Sequence, residues 1–214
     1  MGGRGSFSGL EKTIDDVLGI HEEKGTVKEI DLGQFGSLTE TENTIRSRKK
    51  EVLVVFDKSG RAIKAYQGGT HSVAFPVAEA EKWKGLTVTH NHPKGWEGFG
   101  GTFSWADMSN ATVFEFGSHR AVGCGQGEKN YVLQAGKDAK PMAFNRRIAS
   151  DIPWLEEKMK EEVRNVKEQY KSGSKEYKNY GHAIHVARQK SVGVLNSYYR
   201  ETAEQYGYIY RTQK

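Results

Sequence analysis

Leu86-Thr87-Val88-Thr89-His90-Asn91-His92-Pro93 reads as a β-strand that ends in two histidines and is stopped by a proline. Side chains two apart on a strand point to the same face, so both imidazoles can reach one metal ion. Proline has no N–H for the ladder, which places the histidines at a sheet rim rather than mid-sheet. A Gly-rich loop, Gly95 to Gly101, follows, and then Ser104-Trp105-Ala106-Asp107. Ser104 is placed to cap a helix running to about Phe114. Asp107, in its first turn, adds an oxygen ligand. Two nitrogens, one oxygen and an open fourth position form the donor set of a catalytic zinc site. Ser104, one turn before Asp107, can face the same pocket and donate to an oxyanion. Alone, a His-x-His is common and a Ser-x-x-Asp is an ordinary capping box. Together, at a strand end, they favour a metal site.

Outward from this segment, Val52-Leu53-Val54-Val55-Phe56 is a β-branched run that reads as a buried strand. Glu51 opens it and is the candidate general base. Asp57 to Gly60 forms a turn, and Ala62 to Tyr66 returns as a hairpin partner. His71 to Phe75 reads as a third strand. Pro76 opens a helix through Trp83 that ends at Gly85. Two short strands are expected near Ala121–Gly123 and Tyr131–Leu133. Before the core, Leu10, Ile14, Val17 and Leu18 have helical spacing with Ser8 as a possible N-cap, and 21–49 reads as a loop. From Asp151, Leu155, Met159, Val163, Val166 and Tyr170 keep helical spacing. Lys171 to Ser174 interrupts it, and a second helix covers His182 to Tyr206, ending at Gly207. The expected organisation is a leader, short helix and loop over 1–47, a mixed α/β metal-site domain over 48–148, and a C-terminal helical extension over 149–214.

The 214 residues are 36% hydrophobic and 28% charged, enough for one packed domain and an extension. The net charge of +5 fits an acidic or nucleic-acid partner and equally an ordinary protein surface. The cluster Arg46, Arg48, Lys49, Lys50 reads as solvated. One cysteine, Cys124, rules out an intramolecular disulfide or a thiolate-rich zinc site, and points to a reducing, cytoplasmic compartment. No apolar run suits a membrane span, and the first residues lack the apolar core of a signal peptide. Among the other histidines, His71 flanks the pocket at most, and His119 reads as a surface residue ahead of a strand. His182 and His185 share a helix face without a third ligand. A zinc deaminase is disfavoured, since His-x-Glu and Pro-Cys-x-x-Cys are absent. Trp96 and Phe99, in the Gly-rich loop, either grip a substrate tail or tuck onto the domain.

His-x-His, then Ser-x-x-Asp, with an upstream Glu, resembles the JAMM signature of JAB/MPN metalloproteases. The His90-Asn91-His92-Pro93 string is similar to that of RadC-type proteins. Glu51 to Gly60, a Glu-led strand ending in Phe-Asp before a Lys-x-Gly turn, resembles JAB-like domains of bacteriophage proteins. The resemblance spans about residues 48–135. It implies a cytidine-deaminase-like α/β fold, a mixed sheet with flanking helices. It implies Zn2+ on His90, His92 and Asp107, with Glu51 polarising the zinc water and Ser104 aiding the oxyanion. Glu40 and Glu42 are alternatives for the glutamate. Eleven residues separate His92 from Ser104, more than is usual in the family, and the excess falls in the loop-like Lys94–Phe103. The expected function is hydrolysis of a peptide or isopeptide bond in a protein or peptide substrate, by a phage-encoded protein of the host cytoplasm or virion. Two alternatives are a phage or virion interaction protein using the fold as a platform, and a metal-dependent nucleic-acid hydrolase.

Overall fold

The computed structural model describes residues 6–18, 28–70, 72–93, 102–124 and 129–213. His71, Trp96 and Phe99 lie outside the described residues, as does most of the Gly-rich loop. The centre is a six-stranded mixed sheet of order β2-β1-β3-β4-β5-β6. Its strands are β1 (Val52–Phe56), β2 (Ala62–Gln67), β3 (Thr87–His92), β4 (Ser118–Gly123), β5 (Asn130–Ala135) and β6 (Tyr208–Gln213). Among the described strands only the β3–β4 pair is parallel. Its crossover is α4 (Trp105–Val113), which delivers Asp107 to the sheet.

The remaining helices are α1 (Phe7–Val17), α2 (Leu38–Arg46), the one-turn α3 (Val77–Ala80), α5 (Pro141–Lys171) and α6 (Tyr180–Gln205). Alternation along the strands sorts the apolar side chains onto two faces. Leu53 and Val55 of β1, Val88 of β3, Ala121 of β4 and Leu133 of β5 join one cluster with α1, α4, α5 and α6. Val52, Val54, Phe56, Ala65 and Val122 form the opposite cluster, closed by Phe35 and by Ile45 of α2. Helices therefore cover both faces of the sheet.

Several expectations need correction. α1 starts before Ser8: the Ser6 hydroxyl accepts the Gly9 N–H at 3.0 Å. The stretch read as loop over 21–49 contains α2, opened by a Ser37/Glu40 capping box. Residues 72–76 carry no strand. Residues 148 and 149, on either side of the expected domain division, both lie inside α5, which begins with Pro141 at its first turn and runs on through Pro153. The C-terminal segment is not purely helical. Gly207, at φ 75°, turns the chain out of α6 and into β6. β6 pairs antiparallel with β5 along its whole length and so belongs to the central sheet. Among the described residues, no helix is long and apolar enough to cross a membrane.

Candidate metal centre

His90, His92 and Glu51 meet because three neighbouring strand positions share a face. β1 and β3 run antiparallel with Leu53 opposite His90, so the next same-face position on β1 is Glu51, level with the strand end. All three are buried, with 5% or less of their surface exposed. Their ligand atoms lie within 4.8 Å of one another. Asp107 enters from the first turn of α4. His90 Nε2 stands 3.1 Å from Asp107 Oδ1, His92 Nε2 stands 3.3 Å from Asp107 Oδ2, and the two Nε2 atoms are 2.8 Å apart. Donor atoms around a tetrahedral ion at about 2.0–2.1 Å would be separated by about 3.3 Å, close to these distances, although the two histidines meet different Asp107 oxygens. His90, Asp107 and His119 form a second group whose ligand atoms lie within 4.8 Å of one another. The N/N/O composition of His90, His92 and Asp107 suits zinc among other transition metals.

Burial decides the electrostatics. It pushes the Glu51 carboxyl up to about 8, with His90 opposing and Asp107 adding to the shift. Glu51 Oε2 has no hydrogen-bond partner among the described residues. An orphaned buried oxygen is costly in a finished core, and is expected where a cation or water belongs. At Asp107, burial works against the charge, but the two histidines outweigh it and hold the carboxyl well below its ordinary range. His90 is resisted by burial yet raised by Asp107, whereas burial prevails at His92 and lowers it. A cavity of about 20 Å3 lies against Glu51, His90, Asp107 and His119, walled by Val73 and Phe75. It has room for a single water-sized group.

Ser104 is the N-cap of α4. Its Oγ accepts the Asp107 N–H at 3.1 Å and donates to Asp107 Oδ2 at 2.8 Å, and the Ser104 N–H reaches the same oxygen at 2.7 Å. The capping box thus orients the carboxylate, and the hydroxyl hydrogen points at Asp107.

The alternative glutamates are engaged elsewhere. Glu40 is exposed and closes the α2 capping box. Glu42 is buried on the opposite face of the sheet, where Arg120, Asn130 and Thr89 all donate to it. Arg46, expected to be solvated, turns inward to the Gly123 carbonyl and Asn130 Oδ1. His182 and His185 lie on α6, where the His182 Nδ1 accepts the Lys178 N–H at 3.3 Å. No group of three metal-binding side chains among the described residues includes either.

His119 is the neighbour of the cluster that sequence reasoning missed. It is 3% exposed, not a surface residue. Its Nε2 lies 3.2 Å from His90 Nδ1 and its Nδ1 lies 3.1 Å from the Asp107 carbonyl. Burial lowers its pKa to about 3, helped by the charge on His90, so the ring is neutral. The signal was the alternation His119, Ala121, Gly123, visible once β4 is started at Ser118 rather than Ala121.

Compared with known proteins, no family model matches the chain, and no curated protein and no solved structure matches it either.

Proposed function

We propose that this protein is a zinc-dependent hydrolase of JAMM type that cleaves a peptide or isopeptide bond. The observation that carries the reading is the convergence of His90, His92 and Asp107 at donor separations of 2.8 to 3.3 Å beside the buried, unpartnered Glu51 oxygen. The mixed sheet with helices on both faces is compatible with a JAB/MPN architecture.

His90, His92 and Asp107 would hold the ion, which would supply Lewis acidity and make water at the site more acidic. Glu51 takes a proton at its carboxylate and returns it to the leaving amine. Burial raises this carboxyl, to about 8 without an ion, and a bound cation would oppose that rise and favour the carboxylate that the base needs. Ser104 keeps Asp107 aimed at the histidines. Its further part as an oxyanion donor requires its hydroxyl to exchange that partner.

Elemental mass spectrometry on the purified protein and on His92→Ala tests the centre. The expected result is about one zinc per chain, lost in the variant. Peptide and isopeptide substrates then test the reaction, with Glu51→Gln keeping the metal and losing turnover. A wild-type chain that takes up no metal when zinc is supplied would sink the hydrolase reading.

A further inference from the structure

We infer that His119 is the positioning residue that fixes the ring of His90 for metal binding. The inference rests on the metal-centre reading above and extends it from the ligands to what holds them.

The argument is one of hydrogen placement. His119 lies on β4 in register with Val88 of β3, one face position from His90. The rings of Phe103 and Phe116 flank it at centroid distances of 5.1 and 5.5 Å. Its Nδ1 faces the Asp107 carbonyl oxygen, 3.1 Å away. A carbonyl only accepts, so this Nδ1 carries the hydrogen. In a neutral imidazole the other nitrogen is then an acceptor, and it faces His90 Nδ1 at 3.2 Å. His90 therefore donates from Nδ1. With its hydrogen on Nδ1, a neutral His90 ring keeps a lone pair on Nε2, the atom that faces His92 and Asp107. The reverse relay would set the lone pair of His119 Nδ1 against the lone pairs of a carbonyl.

One ring thus links both ligand-bearing elements. It reads the side chain of His90 on β3 and the backbone of Asp107 on α4. Both of its nitrogens meet protein partners, the geometry of a support. The ligand atoms of His90, Asp107 and His119 also lie within 4.8 Å of one another, so the test must separate support from ligand. Outer hydrogen bonds of this kind set the tautomer and basicity of a ligating histidine.

The test compares wild type, His119→Phe and His119→Gln. Zinc affinity is read by competition with a chromophoric chelator, coordination by the visible spectrum of the cobalt(II) form, and histidine protonation by 15N NMR of the metal-free protein. Phenylalanine suits the aromatic surroundings but offers no acceptor. His119→Phe is expected to bind zinc about 10- to 100-fold more weakly, with His119→Gln intermediate and the cobalt spectrum altered. Wild-type affinity and an unaltered spectrum in His119→Phe overturn the inference. So does a second metal ion in wild type that His119→Phe loses, since that makes His119 a ligand. Should His119→Phe not fold, His119→Gln carries the comparison. A wild type that binds neither zinc nor cobalt defeats the metal reading itself. The 15N spectrum then still decides: a hydrogen on His90 Nδ1 supports the relay, and a bare Nδ1 overturns it.

Discussion

Asn91 accepts the backbone N–H of Val52 on its side-chain Oδ1, at 2.7 Å. From Nδ2 it also donates to the Lys50 carbonyl at 3.3 Å, so it grips the chain on both sides of Glu51. The β1–β3 ladder ends at Leu53 and His90, and the carboxamide takes over from the backbone at that point. Asn91→Ala would leave a buried N–H without an acceptor. The expected cost is about 2 kcal/mol of unfolding free energy. Urea denaturation should show a lower midpoint at an unchanged slope, and an unmoved midpoint would refute the clamp.

Glu51 makes the metal-free protein sensitive to pH in a definite direction. Its carboxyl titrates at about 8 when folded, against 4.5 as its ordinary value. Between these values the native state binds the extra proton, so stability is full below about pH 4.5 and declines as pH rises toward 8. Glu51→Gln removes that slope. Thermal melts in chelator at pH 5 and pH 8 should show the variant gaining on wild type by a few kcal/mol at the higher pH. Parallel melting curves at both values would show that the carboxyl is not desolvated.

Ser104→Ala removes the N-cap of α4 and one donor to Asp107. A lost cap costs about 1 kcal/mol. Zinc affinity should fall together with stability, because the same hydroxyl serves both. Ser104→Thr should restore both, and a variant with lowered stability and wild-type zinc affinity would separate the cap from the site.

Glu42→Ala should be strongly destabilising, since it takes the carboxylate from the largely enclosed Arg120 and from Asn130 and leaves Arg120 only Gln213 as a side-chain acceptor among the described residues. A loss of about 3–5 kcal/mol is expected. Glu42 lies on the other face of the sheet, so any folded fraction should still bind metal one to one. Loss of metal from folded Glu42→Ala would reopen the choice of glutamate.

Chelation should lower the melting temperature in proportion to occupancy. Zinc at about 1,000 times its dissociation constant contributes about 4 kcal/mol. His92→Ala should melt at the same temperature with and without zinc. A zinc-dependent shift in that variant would place the ion elsewhere.

The candidate ligands could be brought together from the sequence because their spacing is local. His-x-His needs only strand alternation, and Ser-x-x-Asp needs only one helical turn. Glu51 was legible as the residue ahead of the strongest apolar strand. What failed depended on partners distant in sequence. β6 has exposed Ile209 between buried Tyr208 and Tyr210, a short alternation that follows a long helix and gains its identity only by pairing with β5. The start of α5 was missed because the helical spacing was read from Asp151 onward, and Phe144 and Ile148, its first buried residues, lie before that. α2 was missed although Ser37 and Glu40 spell a capping box, because its neighbours are charged. His119 was hidden by a strand boundary drawn three residues late.

The pairing of β6 with β5 also bears on how the molecule comes to its native state. Tyr210 of β6 meets Phe103 edge-on, Phe103 leans on His90 and His119, and the Tyr210 hydroxyl and Thr102 share Asn196 of α6 as acceptor. The wall of the metal centre is therefore built by residues separated from it by both long helices. Closing so large a loop is slow compared with forming a hairpin such as β1–β2. The ligands can gather early in folding, but the seal around them is a late event, and metal captured before that seal forms would still exchange with solvent.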